Sequence, residues 1–514
     1  MKSIIKFWQS MEPNHKKYFS VFLFFWALFA LSNNGWDSSE GRYAYLVAEQ
    51  IVKHGHLGFD VQPIPGVFVA APNGRIYAAH EIGNALFLLP TAFLNFLIEN
   101  ILSNFISDKK LITIIQQFIV SFQGGVYSAI TATTFFGILR VGFSLQVITS
   151  FLATLCLALT TYFWTYSREL YDTILSTTLL TLSFLFLLNY KQSNKWWHLV
   201  TSFILLGLGF ITRISMILAI VTSFFYLILI TKSVTKLTRR ISIGLFTLLP
   251  FVLWQFWYNN LRTGIFYLSP VQTETYISTN SLDGNLIIGL GGLLLSPGKS
   301  IFIYAPLLIL SVFLFYKFYR EHKKEAMYVL VITVLWFLLH ARLRNWYGAW
   351  GWGPRHIITI LPIMFIPFAI NIEYVLKNAK LKIYGTFLAG FGFIISLSSI
   401  ISNWYFRLKL AEKNGMASDD FFIWSFWNSQ AIDMLKAAIG NIYRIFTQSP
   451  PLEVAGTPAI NSYCSNTVYI WANMMLYFGI PWYAIVFLVA PLLLIMYLSL
   501  RSILSRNIVS IDVN

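Results

Sequence analysis

The chain has 514 residues, of which 57% are hydrophobic and only 11% are charged. A soluble globular domain carries about 25% charged residues, so this composition excludes a soluble protein and indicates one that crosses a membrane several times. The formal net charge of +16 at pH 7 does not indicate a nucleic-acid partner, because most lysines and arginines fall in short clusters between apolar runs, as in the cytoplasmic loops of membrane proteins. The two cysteines, Cys156 and Cys464, indicate no disulfide framework.

Apolar runs of about 17–25 residues, the length that crosses a bilayer as a helix, recur along the chain. The first of them is not followed by a small-residue cleavage site, so we predict a retained helix and not a signal peptide. The fold class that follows is an all-α polytopic integral membrane protein with about twelve transmembrane helices. The predicted spans are 19–33, 112–138, 144–163, 173–190, 196–211, 214–231, 241–258, 300–316, 326–340, 356–374, 383–402 and 479–499.

One apolar run, Ile82–Leu102, is left out of this set. It contains Pro90, Glu99 and three asparagines, and if it crossed the membrane, Arg140 would lie on the outer side. If it does not cross, the main lysine and arginine clusters and both termini become cytoplasmic, as the positive-inside rule requires. We therefore predict a helix that lies along the outer membrane interface.

This topology divides the chain into four parts. Residues 1–260 form a transmembrane catalytic module whose first outer loop, 34–110, contains interfacial helices. Residues 261–402 form a variable transmembrane module with outer loops at 259–299 and 341–355. Residues 403–478 are predicted to form a small external subdomain, and 479–514 the last transmembrane helix and a cytoplasmic tail.

Two acids follow the first apolar run at the predicted outer face, in the sequence Trp36-Asp37-Ser38-Ser39-Glu40-Gly41-Arg42-Tyr43-Ala44. Carboxylates at the mouth of a membrane cavity suit proton abstraction or metal binding, and Asp37 and Glu40 are our catalytic candidates. The structural alternative is that Asp37 caps the helix that follows. Arg42 and Tyr43 lie beside the acids and are candidates for substrate binding.

A second polar group lies just before the interfacial segment. His80 and Glu81, together with Glu40, could hold a divalent metal ion, since an imidazole and carboxylates are suitable ligands. A hydrogen-bonded structural pair is the alternative for the same two residues. Asp172 opens a predicted helix on the same side of the membrane, where it either caps the helix or joins the first acids as a third catalytic candidate.

The predicted outer loops also contain an unusual number of cations. The run from His340 to His356 combines three arginines with three tryptophans and a tyrosine, against the positive-inside bias. Guanidinium groups bind phosphate with two hydrogen bonds, whereas the alternative is an interfacial belt that binds lipid headgroups nonspecifically. The candidate phosphate ligands are Lys299, Arg342, Arg344, Arg355 and His356.

These motifs together resemble the GT-C superfamily of lipid-carrier-dependent glycosyltransferases, in its protein O-mannosyltransferase and lipid A aminoarabinose transferase branch. The family pattern Asp-Glu-x-Arg-Tyr-Ala matches Glu40-Gly41-Arg42-Tyr43-Ala44, but Ser39 stands where the aspartate is expected and Asp37 lies two residues earlier. Tyr77 before the interfacial helix and Asp172 at the start of a later helix also fit the family. The resemblance covers roughly residues 15–260.

The resemblance implies an inverting transfer of a sugar from a polyprenyl-phosphate donor to a hydroxyl group of a glycan, lipid or protein at the outer face of the cell membrane. It implies a carboxylate base, Asp37 or Glu40, with Asp172 as an orienting or coordinating group and with Tyr77 and the cations at the substrate. Two alternatives remain open: an enzyme similar to O-antigen ligases or polymerases, and a lipid-linked sugar transporter, which would need charged residues within its spans.

Overall fold

The structure is a computed structural model that describes residues 12–35, 41–64, 66–270, 281–349, 351–416, 419–449, 452–454, 462–464 and 467–505. Asp37 and Glu40, the two acids that the sequence predicts to be catalytic, lie outside these described residues.

The described chain is almost entirely helical, with one short antiparallel hairpin of β1 and β2. Its elements are α1 (Pro13–Ser32), α2 (Gly41–His54), β1 (Phe68–Ala70), β2 (Ile76–Ala78), α3 (Gly83–Leu102), α4 (Lys109–Ser121), α5 (Gln123–Gly137), α6 (Val147–Leu159), α7 (Phe163–Tyr166), α8 (Asp172–Ser193), α9 (Trp196–Phe210), α10 (Ile217–Ile230), α11 (Val234–Thr263), α12 (Leu286–Leu295), α13 (Ile301–Tyr304), α14 (Leu308–Glu321), α15 (Lys323–Ala341), α16 (Leu361–Ile370), α17 (Ile372–Lys377), α18 (Ala379–Ile401), α19 (Trp404–Lys413), α20 (Asp419–Ile423), α21 (Gln430–Thr447), α22 (Trp471–Tyr477) and α23 (Trp482–Leu504). A π-helical turn covers Ile138–Gly142, and 3₁₀ turns cover Ile214–Met216 and Arg355–Ile360.

The predicted class, a helical multi-pass membrane protein, is confirmed at this level. Among the described residues, six helices are long and apolar enough to cross a membrane: α3, α8, α11, α15, α18 and α23. Several shorter apolar helices, among them α6, α9 and α10, coincide with other predicted spans. The total of about twelve spans stays a prediction.

The predicted spans 112–138, 300–316 and 356–374 are each divided between separate helices in the structure. Residues 112–138 form two helices, α4 and α5, which meet at Phe122. The first of them is amphipathic: it begins with Lys109 and Lys110, and the Asp108 carboxylate caps it by accepting the backbone N–H of Lys110 at 2.9 Å. The polar start of α4 makes it a poor lipid-facing helix, so the apolar part of the predicted span is α5.

The predicted interfacial helix 82–102 is observed as α3, which packs lengthwise against α2 and α4. Lys53 of α2 lies between Glu49 and Glu99, at 2.9 and 2.7 Å, and Asn95 of α3 donates to the Tyr45 hydroxyl at 2.8 Å. Helix α2 carries several charged side chains along its length, so a membrane-crossing α3 would draw these charges into lipid at high cost. The interfacial location stays a prediction, because α3 is also long and apolar enough to cross a membrane.

The cation clusters and the predicted outer loops lie at opposite ends of the helix bundle. Helix α8 has 22 residues, which separates its ends by about 33 Å. At one end Lys191 pairs with Glu325 at 2.8 Å, and Gln192 donates to the Val141 carbonyl at 2.6 Å. At the other end, Asp172 starts the helix among the residues of loops 66–81 and 345–356. Lys191 and the predicted outer loops therefore lie at opposite ends of α8, and the orientation in the membrane stays a prediction.

The segment 403–478 packs on the end of the bundle that carries the predicted outer loops. The indole of Trp471 in α22 donates to the Ala30 carbonyl of α1 at 2.9 Å. The Gln430 side chain at the start of α21 accepts the backbone N–H of Gly353 at 2.9 Å and donates to the Gly351 carbonyl at 3.2 Å. These contacts fix the loop that precedes Arg355.

Candidate active site

A cavity of about 450 Å³ lies at this end of the bundle and gathers several of the residues that the sequence singles out. Six of the predicted site residues line it: Tyr43, His80, Glu81, Asp172, Arg355 and His356. The cavity is also lined by residues that the sequence analysis did not select, among them Tyr171, Arg213, Ser215, His340 and Asn345. We refer to it as the first cavity.

Arg213 connects the acid and the histidine of the first cavity. It lies after the end of α9, and its guanidinium is 3.4 Å from the Asp172 carboxylate and 2.8 Å from Nδ1 of His356. Its Nε donates to the Ser215 hydroxyl at 3.1 Å, which fixes the plane of the guanidinium. Arginine can only donate hydrogen bonds, so Nδ1 of His356 accepts and the neutral ring carries its proton on Nε2.

The histidine itself is held from the bundle interior. The Trp336 indole donates to the backbone carbonyl of His356 at 2.8 Å, and the rings of His340 and His356 stack with their centroids 5.3 Å apart. Asp172 is at the first position of α8, where the helix dipole stabilises its negative charge. The Arg355 guanidinium lies over the Tyr171 ring at 5.1 Å, beside the same helix start.

The acidic motif of the first outer segment reaches this cavity through its last residues. Gly41 and Tyr43 line the cavity, and the Tyr43 ring stacks on that of His80 at 4.6 Å. Gly41 is packed so closely that an added Cβ would lie 2.3 Å from the Cβ of Leu170. Glu40 precedes Gly41 in the sequence and lies outside the described residues.

Of the three predicted metal ligands, Glu40 lies outside the described residues and Glu81 contacts a buried arginine. The Glu81 carboxylate lies 3.8 Å from the buried Arg262 guanidinium and accepts from the Ser269 hydroxyl at 3.1 Å. Arg262 also donates to the Ala79 and His80 carbonyls at 2.8 Å each, so Glu81 serves to hold this turn. Within the described ranges there is no group of three or more His, Cys, Asp or Glu side chains that could hold a metal ion. We therefore derive no step through a metal.

Lys299 has a different environment from the one predicted. Its ammonium group is buried and donates to the carbonyls of Ala349, Gly351 and Gly353, at 3.2, 2.6 and 3.2 Å. It lies behind the loop and does not line the first cavity. In this structure Lys299 is a structural cation that holds the loop leading to Arg355.

Four other predicted substrate residues also lie outside the first cavity. Arg342 donates to the Gly284 carbonyl at 2.7 Å, and exposed Arg344 pairs with Asp283, whose carboxyl pKa this hydrogen bond lowers. The Tyr77 hydroxyl accepts from the Asn73 side chain at 2.9 Å and supports the hairpin turn. The side chain of Arg42 is exposed, whereas its neighbours Gly41 and Tyr43 line the cavity.

The residue that sequence reasoning missed is Arg213. One signal was present: it is an isolated arginine between two apolar runs, on the side of the membrane that the positive-inside rule leaves poor in cations.

Residues 110–257 match the family model for dolichyl-phosphate-mannose-protein mannosyltransferase. The resemblance to GT-C glycosyltransferases is confirmed over this segment. It contains Asp172 and Arg213, whereas the first outer segment with Asp37 and Glu40 precedes it.

Solved structures with a similar chain course include ArnT from Cupriavidus metallidurans in the apo state, with a TM-score of 0.47 and 12% identity over 95% of this chain and 75% of that one. ArnT bound to undecaprenyl phosphate gives 0.44 and 12%, over 84% and 80%. The archaeal oligosaccharyltransferase AglB from Archaeoglobus fulgidus, in complex with an inhibitory peptide and a dolichol-phosphate, gives 0.42 and 10%, over 88% and 64%. Comparison with curated protein sequences gives no match.

Proposed function

We propose that this chain is an inverting membrane glycosyltransferase that moves a sugar from a polyprenyl-phosphate donor to a hydroxyl group of a glycan, lipid or protein. The observation that carries the proposal is the first cavity, where Asp172, Arg213, Arg355 and His356 converge beside Gly41 of the acidic motif. The family match over residues 110–257 supports the same reaction class.

In the proposed reaction, the acceptor oxygen attacks the anomeric carbon of the donor while a carboxylate removes the hydroxyl proton. The new carbon–oxygen bond forms as the bond from the anomeric carbon to the phosphate oxygen breaks, and the electron pair leaves with the lipid phosphate. Asp37 or Glu40 is the proposed base, because both belong to the motif that ends at the cavity wall. Attack from the face opposite the leaving group inverts the anomeric centre.

The departing phosphate gains negative charge and needs fixed cations. Arg213 and Arg355 both line the first cavity, and arginine binds phosphate oxygens in a planar, two-pronged geometry. Asp172 lies 3.4 Å from Arg213, and it is the proposed positioning group for that guanidinium. His356 supports Arg213 from the other side, at 2.8 Å.

The lipid chain of the donor needs an apolar path next to the phosphate site. An apolar groove of about 450 Å³ lies between α12, α14, α15 and α16, with Phe337 and Leu338 of α15 in its wall. The next two residues of α15, Leu339 and His340, line the first cavity, so one helix contributes to the walls of both. We assign the groove to the first isoprene units of the donor.

The proposed orientation in the membrane follows from the positions of the lysine and arginine clusters. The cation-rich end of the bundle faces the cytoplasm with both termini, and the first cavity faces the outside of the cell membrane. Under the proposed function the partners are a polyprenyl-phosphate sugar, its acceptor and membrane lipids.

The test is a transfer assay with the purified full-length protein, radiolabelled polyprenyl-phosphate sugars and a panel of hydroxyl acceptors. Asp172→Asn is expected to lower the transfer rate by about 10²-fold. Of Asp37→Asn and Glu40→Gln, the variant that removes the base is expected to lower the rate by about 10²–10⁴-fold. Glu321→Gln is the matched control, because this exposed acid lies at the opposite end of the bundle.

Two outcomes would overturn the proposal. Transfer that occurs only from diphosphate-linked donors would favour the ligase alternative. Movement of the intact lipid-linked sugar across a vesicle bilayer, with no release of sugar from any carrier, would favour the transporter.

A further inference from the structure

Helix α21 of the external segment has three faces of different character. The face that packs on the rest of the protein consists of Gln430, Ala431, Met434, Ala437, Ala438 and Asn441. A second face is apolar but not buried, and its residues recur every three or four positions and so share one side of the helix: Ile432, Leu435, Ile439, Ile442, Tyr443 and Phe446. We call this second set the α21 stripe. Its outermost side chains are widely open, with Ile439 61% and Phe446 83% exposed.

The third face of α21 is polar and contacts the rest of the external segment. Asp433 forms a two-pronged ion pair with Arg407 of α19, at 2.6 and 2.9 Å. Lys436 donates to the Trp427 carbonyl at 2.7 Å. The polar side of the helix therefore has partners within the protein, whereas the α21 stripe presents a continuous apolar surface of the kind that marks an interaction site.

The position of α21 relative to a membrane-crossing helix indicates what covers the stripe. The Asn441 side chain donates to the Ser402 hydroxyl at 3.4 Å and to the Thr467 carbonyl at 3.2 Å. Ser402 directly follows α18, whose 23 residues span about 34 Å, compared with about 30 Å for the hydrocarbon core of a bilayer. The contact with Ser402 therefore holds α21 within a few ångströms of the boundary between acyl chains and headgroups.

Exposed aromatic side chains lie at the same level. Trp482 and Tyr483 begin α23, another helix long enough to cross a membrane, and are 69% and 64% exposed. The segment before α23 is tied to the end of α18, because the Tyr469 backbone N–H donates to the Ile401 carbonyl at 2.9 Å. Three more exposed aromatic residues precede α21: Trp424, Phe426 and Trp427. Tryptophan and tyrosine are enriched at membrane–water interfaces, so these side chains mark the depth of the interface.

We infer that α21 is an interfacial helix whose stripe docks into the lipid leaflet on the side of the first cavity. Lys436 borders the stripe and Arg444 lies on the polar face, and within the described ranges neither forms an ion pair. Long cationic side chains in this arrangement reach the lipid phosphates while the apolar side of the helix lies among the acyl chains. The inference goes beyond the proposed reaction and does not depend on it.

Docking of α21 would also fix part of the first cavity. Gln430 is the first residue of α21, and its side chain holds Gly351 and Gly353 of the loop that leads to Arg355. A helix anchored in the leaflet therefore braces this loop from outside the bundle.

Photolabelling of the wild-type full-length protein in phospholipid nanodiscs tests the docking. The probe is a phosphatidylcholine with a diazirine near the carbonyl end of one acyl chain, and labelled residues are mapped by mass spectrometry. We expect adducts on Ile439, Ile442 and Phe446 at yields similar to those on Ile394 of α18 and Val486 of α23, which are exposed on membrane-crossing helices. Adducts on Ile394 and Val486 with none on the stripe would overturn the inference. Cross-links between the stripes of two protein copies, in place of lipid adducts, would assign the face to a second copy and would also overturn it.

A charged variant tests the role of the stripe and its link to the loop. Ile439→Glu combined with Phe446→Glu should release the helix from lipid, because ionised side chains are costly among acyl chains. We expect loss of the adducts on Ile442 and faster hydrogen exchange of the Gly353 amide, which donates to Gln430. Asn414→Asp combined with Gln448→Glu is the control, because it adds the same charge at exposed positions off the stripe and should change neither readout.

Each readout of the charged variant can contradict the inference. Unchanged adducts on Ile442 would show that the stripe does not hold α21 in the leaflet. Wild-type exchange at Gly353 after the adducts are lost would refute the bracing of the loop. All substituted residues are exposed, so both variants should unfold near the wild-type temperature, and the photolabelling of the wild-type protein stands independently of them.

Discussion

Replacing Lys299 by methionine distinguishes a structural cation from a phosphate ligand. The Lys299 ammonium donates to the carbonyls of Ala349, Gly351 and Gly353, and the side chain is 3% exposed. Methionine keeps most of the apolar stem but leaves these carbonyls without their shared donor. We expect Lys299→Met to lower thermal stability strongly and to reduce transfer only through loss of the folded loop.

The size of the effect follows from the burial. A hydrogen bond to a charged group contributes about 1.5–3 kcal/mol, but three bonds from one ammonium are not additive. The desolvation cost of the ammonium disappears with it, and this offsets part of the loss. Buried carbonyls that lose their donor typically cost about 1–3 kcal/mol, which is the destabilisation that we expect here.

The assay is thermal unfolding of the purified protein in detergent, followed by transfer measured below the unfolding range. Lys317→Met is the control, because this half-exposed lysine pairs with Glu321 at the opposite end of the bundle and should change stability by less than about 1 kcal/mol. If Lys299→Met unfolds at the wild-type temperature but loses transfer, Lys299 binds the donor phosphate, as its position in the sequence predicted, and the structural role is refuted.

Three further outcomes test the assignment of the site. Arg213→Gln should lower transfer by about 10²–10³-fold with little change in unfolding temperature, and Arg213→Lys should restore part of it; full activity in Arg213→Gln would exclude this arginine from the reaction. Arg344→Ala removes one partner of an exposed ion pair and should leave both the transfer rate and the unfolding temperature near wild type. Arg355→Ala should lower the transfer rate. Equal losses of transfer in the two variants would mean that the whole arginine loop binds substrate. Gly41→Ala should reduce transfer and stability together, because the added Cβ would clash with Leu170. Gly390→Ala is the control and should reduce neither, because a Cβ at that position would have no neighbouring atom within 4 Å. A fully active Gly41→Ala protein would show that the acidic motif is not held against the cavity.

The membrane fold could be predicted from the sequence because the bilayer imposes length and charge rules on each helix separately. Apolar runs of sufficient length and the bias of lysine and arginine placed the main spans and separated the two ends of the bundle. The break at Phe122 could not be foreseen in this way, because α4 and α5 together read as one apolar run. The polar residues of α4 can be assigned to a helix interface only once the structure shows that α4 packs against α3.

The site was predicted in part, and the residues that failed have a common cause. Asp172, Arg355 and His356 do meet in the first cavity, because each stands at the end of a helix that opens on the same face. Lys299 and Glu81 have partners that the sequence does not reveal, backbone carbonyls and a buried arginine, respectively. A residue type indicates which ligands it can bind, but the sequence does not show which partners the fold supplies.

In the arginine-rich loop that precedes Arg355, the glycines are a better guide to the backbone conformation than the arginines. Gly348, Ala349 and Gly353 have positive φ values of 74, 48 and 58°, so the backbone turns sharply between Asn345 and Arg355. Glycine adopts this left-handed backbone without steric cost, whereas most residues do not. Such turns direct several carbonyls to one side, and a buried cation must satisfy them, which is the observed role of the lysine behind the loop. The spacing of the glycines, more than the density of arginines, is therefore what brings Arg355 to the wall of the first cavity.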